Sequence, residues 1–148
     1  VTEIGGSAFL DCSNLREVRL NDRLQKIGVN TFCICSSIEN IKLPSTLVEI
    51  GSRAFFCCSN LREVVFNDGL QKIGYGAFHK CTSLKSIMLP STATEIGSDA
   101  FNGCRNLKEV ILNDRLQKIG GNAFYNCGAL ERILFPTMLH RIDNIIQT

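Results

Sequence analysis

The residues in this chain best equipped for chemistry are eight cysteines and two histidines. Thiols and imidazoles at suitable spacing ligate zinc, exchange disulfides or pair as nucleophile and base. Their placement here points elsewhere. Cys12, Cys35, Cys58, Cys81, Cys104 and Cys127 recur every 23 residues, and a thiol that returns at a fixed interval among apolar residues serves as a small buried hydrophobe. No CxxC pair occurs. A tetrahedral zinc site also needs four converging side chains, whereas the recurring thiols should turn inward. No metal and no cofactor is expected.

Cys33 and Cys57 stand off this series, beside Cys35 and Cys58. Neighbouring units would bring them near the separation a disulfide requires, so a bridge and two free thiols are both open. His79 and His140 occupy positions that vary from unit to unit and should face solvent; neither has a Ser, Cys or acid recurring beside it. The glycines are evenly spaced punctuation rather than a phosphate loop, and no GK[ST] sequence occurs. No catalytic residue is assigned, and the chain reads as a non-enzyme.

The elements that must position these residues are copies of one unit. Ile4, Ile27, Ile50, Ile73, Ile96, Ile119 and Ile142 lie 23 residues apart, as do Phe9, Phe32, Phe55, Phe78, Phe101 and Phe124. A fixed period of this length decides the fold class before any local propensity does. Within each unit a stretch such as LREVRL alternates apolar and polar residues, the mark of a strand with one buried face. Asn-Asp or Pro-Ser/Thr then makes a turn, and a second short extended piece such as LQKIG follows. Its Gly is expected to end the piece in a backbone conformation costly for other residues. The segment AFxxC should form one helical or 3-10 turn facing inward.

One such unit cannot bury its own apolar face, so stacked copies must cover one another. The expectation is a single domain over residues 1–148, a coil of about six units starting near residues 4, 27, 50, 73, 96 and 119. Equivalent strands would pair in parallel, and residues 142–148, where Asp143 replaces the usual Gly, would form a terminal partial unit or cap.

Composition narrows the classes further. With 45% hydrophobic and 20% charged residues the chain can build a core. A net charge of +2, with basic and acidic residues interspersed, gives no overall field to attract nucleic acid or an anionic membrane. No apolar run approaches the roughly 20 residues of a membrane-spanning helix. The sequence begins at Val1 inside a recurring motif, which reads as a fragment or processed chain whose further repeats are possible partners of this segment.

The pattern IGxxAFxxCxxLxxIxLPxxLxx resembles the BspA-like, or treponemal-type, class of leucine-rich repeats. Residues 50–72 (IGSRAFFCCSNLREVVFNDGLQK) and 73–95 (IGYGAFHKCTSLKSIMLPSTATE) carry the likeness best, and it extends over essentially the whole chain. The resemblance implies a leucine-rich-repeat solenoid, a right-handed horseshoe with a concave parallel β-sheet and short helical or 3-10 turns on the other side. It also implies protein binding, adhesion or cell-surface recognition. The shared residues are core residues, however, so they specify shape rather than ligand.

Units also alternate in two types, because SNLREVRLNDRLQKIG at residue 13 returns as SNLREVVFNDGLQKIG at 59 and RNLKEVILNDRLQKIG at 105. Duplication of a two-unit block explains this. The position before each recurring Ile reads Lys26, Glu49, Lys72, Glu95, Lys118, Arg141, so opposite charges should stack on successive units up to the last pair.

The position that distinguishes units functionally is the outward residue in the middle of each concave strand: Arg19, Lys42, Val65, Met88, Ile111, Leu134. It is charged twice and then apolar four times. A line of exposed apolar side chains marks a contact site; equally, Val and Ile suit a strand and are tolerated in the open. The candidate partner-binding residues are Val65, Met88, Ile111 and Leu134, with Glu63, Glu109 and Arg132 on their polar side. Three functions stand: a protein-interaction module using the concave face, a scaffold piece of a larger assembly joined through the solenoid ends, and a cell-surface adhesion protein, the last by family analogy.

Overall fold

Each unit contributes one Phe and one Cys to the interior, and the stacking of those two side chains sets the geometry. The computed structural model describes residues 1–134; Phe135, Pro136, His140, Arg141 and the expected cap with Asp143, Ile145 and Ile146 lie outside the described residues. Phe9, Phe32, Phe55, Phe78, Phe101 and Phe124 form one column, with ring centroids 5.1–5.4 Å apart and planes within 16° of parallel. From Phe32 onward these rings are essentially inaccessible to water. Burying each contributes roughly 1.5–3 kcal/mol, and each stacked pair about 0.5–1.5 kcal/mol more.

The cysteine column does more than fill space. The thiols of Cys35, Cys58, Cys81, Cys104 and Cys127 donate to the carbonyl oxygens of Phe9, Phe32, Phe55, Phe78 and Phe101 in the preceding unit, at 3.1–3.2 Å. Each Cys thus ties its own unit to the one below, where the sequence had suggested only a small apolar filler. Thr31, the one polar member of an otherwise alanine column, donates its hydroxyl to Gly28 O at 2.8 Å and Gly5 O at 3.3 Å.

Two sets of parallel strands result. The first, β1 (Glu3–Ile4), β2 (Lys26–Ile27), β4 (Glu49–Ile50), β6 (Lys72–Ile73), β8 (Glu95–Ile96) and β10 (Lys118–Ile119), makes one six-stranded sheet in which recurring isoleucines pair with one another. The second set is β3 (Asn40–Lys42), β5 (Glu63–Val65), β7 (Ser86–Met88), β9 (Glu109–Ile111) and β11 (Arg132–Leu134). It divides into a β3–β5 pair and a β11–β9–β7 sheet. The stretch expected to carry the principal sheet is therefore the interrupted one, and residues 16–20 of the first unit form no strand.

A side-chain difference stands at each interruption. Arg19 stands where Lys42 follows it, and like charges directly opposite weaken pairing. Between β5 and β7 the leucine column is broken by Phe66, which is half-buried with its ring edge-on to Phe78 at 5.9 Å.

The AFxxC segment is not helical. Its N–H groups alternate: Phe55 and Cys57 donate forward to Ala77 O and His79 O of the next unit, whereas Ala54, Phe56 and Cys58 donate back three residues to Gly51, Arg53 and Phe55. A helix would send every donor backward; here every second one is spent joining units. The reversal needs two left-handed residues per unit, as at Arg53 (φ 54°) and Cys57 (φ 56°), and the same two columns repeat from Ser7 and Asp11 to Asn122 and Asn126.

The recurring glycines have a different cause from the one expected. Gly28, Gly51, Gly74, Gly97 and Gly120 are not in the left-handed region. They are small because successive backbones nearly touch: a Cβ on Gly51 would lie 2.8 Å from Gly28 C and Ile27 O. The Asn-Asp turns match expectation, with Asn21 and Asn113 accepting from the N–H groups of Arg23 and Arg115 at 2.8 and 2.7 Å.

Candidate binding face

The outward row on the interrupted sheet is laid down by strand register. Met88 lies opposite Ile111 and Leu134 opposite Ile111, with Ile87, Val110 and Ile133 turned inward beneath them. Because strand side chains alternate, burying the inner residue forces the two flanking ones outward. Met88 is 65% exposed, Leu134 45% and Val65 37%. Ile111 is half-buried between its neighbours, so it serves as the floor of the row rather than its crest.

The polar side is assembled in part. Glu63 is exposed, while Arg132 Nε approaches Glu109 Oε2 at 3.6 Å, and Glu109 is half-buried. Arg19 pairs within its own unit with Glu17 at 2.8 Å. Such exposed pairs contribute about 0–1 kcal/mol each. On the six-stranded sheet, Lys26, Glu49, Lys72, Glu95 and Lys118 stand in register as expected, and among the described residues the closest pair is Lys118–Glu95 at 3.8 Å.

The thiols are all free, so Cys33 and Cys57 are not bridged. Burial is the first cause raising the thiols of Cys35, Cys58, Cys81, Cys104 and Cys127: Cys58, Cys81 and Cys104 are pushed far up, and Cys127 to about 12. They stay protonated at neutral pH and are poor nucleophiles. Cys33 is buried and Cys57 half-buried, and burial raises both, with Lys80 opposing it at Cys57. His79 is not a solvent residue as expected: it packs edge-on against Phe56 at 5.2 Å, and burial lowers its pKa. Beside it the Arg53 guanidinium lies over the rings of Phe56 and Tyr75 at 5.3 and 5.7 Å.

Sequence reasoning missed one further set of outward residues. The column just before the strands reads Arg16, Glu39, Arg62, Lys85, Lys108, Glu131, and its three central cations line a groove with Ser83 and Asn106. The net charge of +2 conceals it; summing charge down each 23-residue column would have found it. Among the described residues no helix is long and apolar enough to cross a membrane, and no group of three or more His, Cys, Asp or Glu side chains is placed to hold a metal ion.

Comparison with known proteins agrees with this geometry. The chain matches the family described as BspA type leucine rich repeat region, in six copies over residues 1–104 and 71–146. A leucine-rich-repeat protein of T. pallidum is 32% identical, with a TM-score of 0.79 over 88% of this chain and 72% of that one. A leucine-rich-repeat protein from Eubacterium ventriosum superposes with a TM-score of 0.84 at 22% identity, over 99% of this chain and 41% of the other. A protein from Faecalibacterium prausnitzii described as a leucine rich cell surface protein gives a TM-score of 0.60 at 24% identity, over 90% of this chain and 42% of that one. The chain thus spans less than half the length of the last two, whose likeness is one of fold. No curated protein matches it. Leucine-rich-repeat folds of this kind generally serve protein interaction or scaffolding and are typically non-catalytic. Repeat spacing, parallel strand columns and these matches together place the chain in the BspA-type leucine-rich-repeat family.

Proposed function

We infer that the chain is a non-catalytic protein-binding module whose partner lies across the outward row of Val65, Met88, Ile111 and Leu134, flanked by Glu63, Glu109 and Arg132. The observation that carries this reading is the change along one outward column, from Arg19 and Lys42 to Val65 and then to Met88, Ile111 and Leu134, the last three held in register. Exposed apolar surface in a continuous line has a cost in water that a partner relieves. Bordered on one side by Glu63, Glu109 and Arg132, the row pairs an apolar line with a polar flank, as interfaces commonly do. Display at a cell surface is part of the same proposal and rests on family analogy.

The test uses Met88→Lys and Val65→Lys, chosen over Ile111→Lys because Ile111 is partly interior. Both variants should keep the wild-type melting temperature while losing a stoichiometric protein captured from the source cells by the parent chain. Loss of folding would place these residues in the core, and unchanged capture would remove the row from the interface.

A further inference from the structure

Three like charges are stacked in one column without an acid between them. Arg62, Lys85 and Lys108 sit on consecutive units, joined through their own backbones, since Lys85 N donates to Arg62 O and Lys108 N to Lys85 O. Their side chains therefore rise from points about 4.8 Å apart. All three are exposed, and Arg105 is exposed beside Lys108. Among the described residues Lys85 and Lys108 form no ion pair, and Arg62 has only Glu39, at 3.8 Å. On the six-stranded sheet, by contrast, Lys and Glu alternate on successive units.

The cations border a groove of about 550 Å³ lined also by Ser83 and Asn106. Asn106 spends its amide N–H on Thr82 O and Ser83 its hydroxyl proton on Ser59 O. Their oxygen lone pairs are left to accept from a ligand's hydroxyls.

We propose that this groove, separate from the apolar row, binds a short stretch of acidic polysaccharide whose sulfates or carboxylates lie along Arg62, Lys85 and Lys108. An extended glycan carries its acid groups along its length without needing backbone partners, so they can lie along a column of cations about 4.8 Å apart, and its hydroxyls can donate to the free oxygens of Ser83 and Asn106. An extended acidic peptide cannot add here as a strand, because the backbone donors are already used. A single-stranded nucleic acid would want stacking platforms, and no aromatic side chain lines the groove.

The test titrates the chain with a heparin-derived hexasaccharide and, in parallel, an oligogalacturonate of equal length, which separates sulfate from carboxylate recognition. Binding of either is expected, with log Kd rising against log salt at a slope of about 2 to 3 for three ionic contacts. The double substitution Lys85→Gln with Lys108→Gln should weaken it about tenfold. Lys26→Gln with Lys118→Gln removes the same charge from the alternating column and should leave it unchanged. Absence of binding at low ionic strength, equal loss in both double variants, or equally tight binding of oligothymidylate or polyglutamate would overturn the assignment.

Discussion

Gly74→Ala isolates the one contact that lets consecutive units approach closely. Gly74 has no unusual backbone conformation, so a conformational argument gives no penalty for alanine there and even a gain of about 0.4–1 kcal/mol from a stiffer unfolded chain. Packing gives the opposite sign. The new Cβ would lie 2.8 Å from Ser52 N, 2.9 Å from Gly51 C and 2.9 Å from Ile50 O, all backbone atoms in paired units that cannot move singly. Overpacking of this kind costs about 1–3 kcal/mol, leaving a net loss of about 1–2 kcal/mol. For a chain of this length that lowers the melting temperature by about 3–6 °C. Gly121→Ala is the control, because a Cβ there meets nothing within 4 Å, and its melting temperature should match the parent or rise slightly. Thermal unfolding followed by circular dichroism measures both. If Gly74→Ala melts within about 1 °C of Gly121→Ala, close backbone approach is not why the glycine recurs.

The cysteines supply two further tests. Native chain treated with iodoacetamide at neutral pH should be labelled at Cys12 and Cys57, which are half-buried, and spared at Cys35, Cys58, Cys81 and Cys104, as peptide mass spectrometry would show; rapid labelling of Cys81 before unfolding would contradict its burial. Alkali should destabilise the fold, because buried thiols hold their protons above the usual value of 9.0 while unfolded ones release them. The unfolded state then binds fewer protons, so this stabilisation is complete below about pH 9 and is lost as pH rises toward the Cys127 value of about 12. Melting temperature measured from pH 8 upward should fall, and Cys104→Ala should flatten the fall.

The interval of 23 residues was legible in the sequence, and with it everything that follows from stacking like on like: the Phe and Cys columns, the inward isoleucines, the parallel pairing and the alternating charges. Periodicity decides these because a residue's neighbours in space are its own equivalents one unit away. Local conformation was not legible in the same way. AFxxC has the composition of a helical turn, yet half its N–H groups are drawn to the next unit, and only a neighbour at the right height can offer those carbonyls. The glycine column carries no sign in the sequence that its cause is proximity rather than φ.

Of the candidate face, the outward direction of Val65, Met88 and Leu134 followed from strand alternation alone. The half-burial of Ile111 and the split beside Phe66 did not, because each depends on what a side chain meets across units. The repeat period alone fixes which residues form columns. How closely those columns pack and how far each faces water is settled in the folded chain, since both are set by side-chain bulk and charge acting between units rather than along the chain.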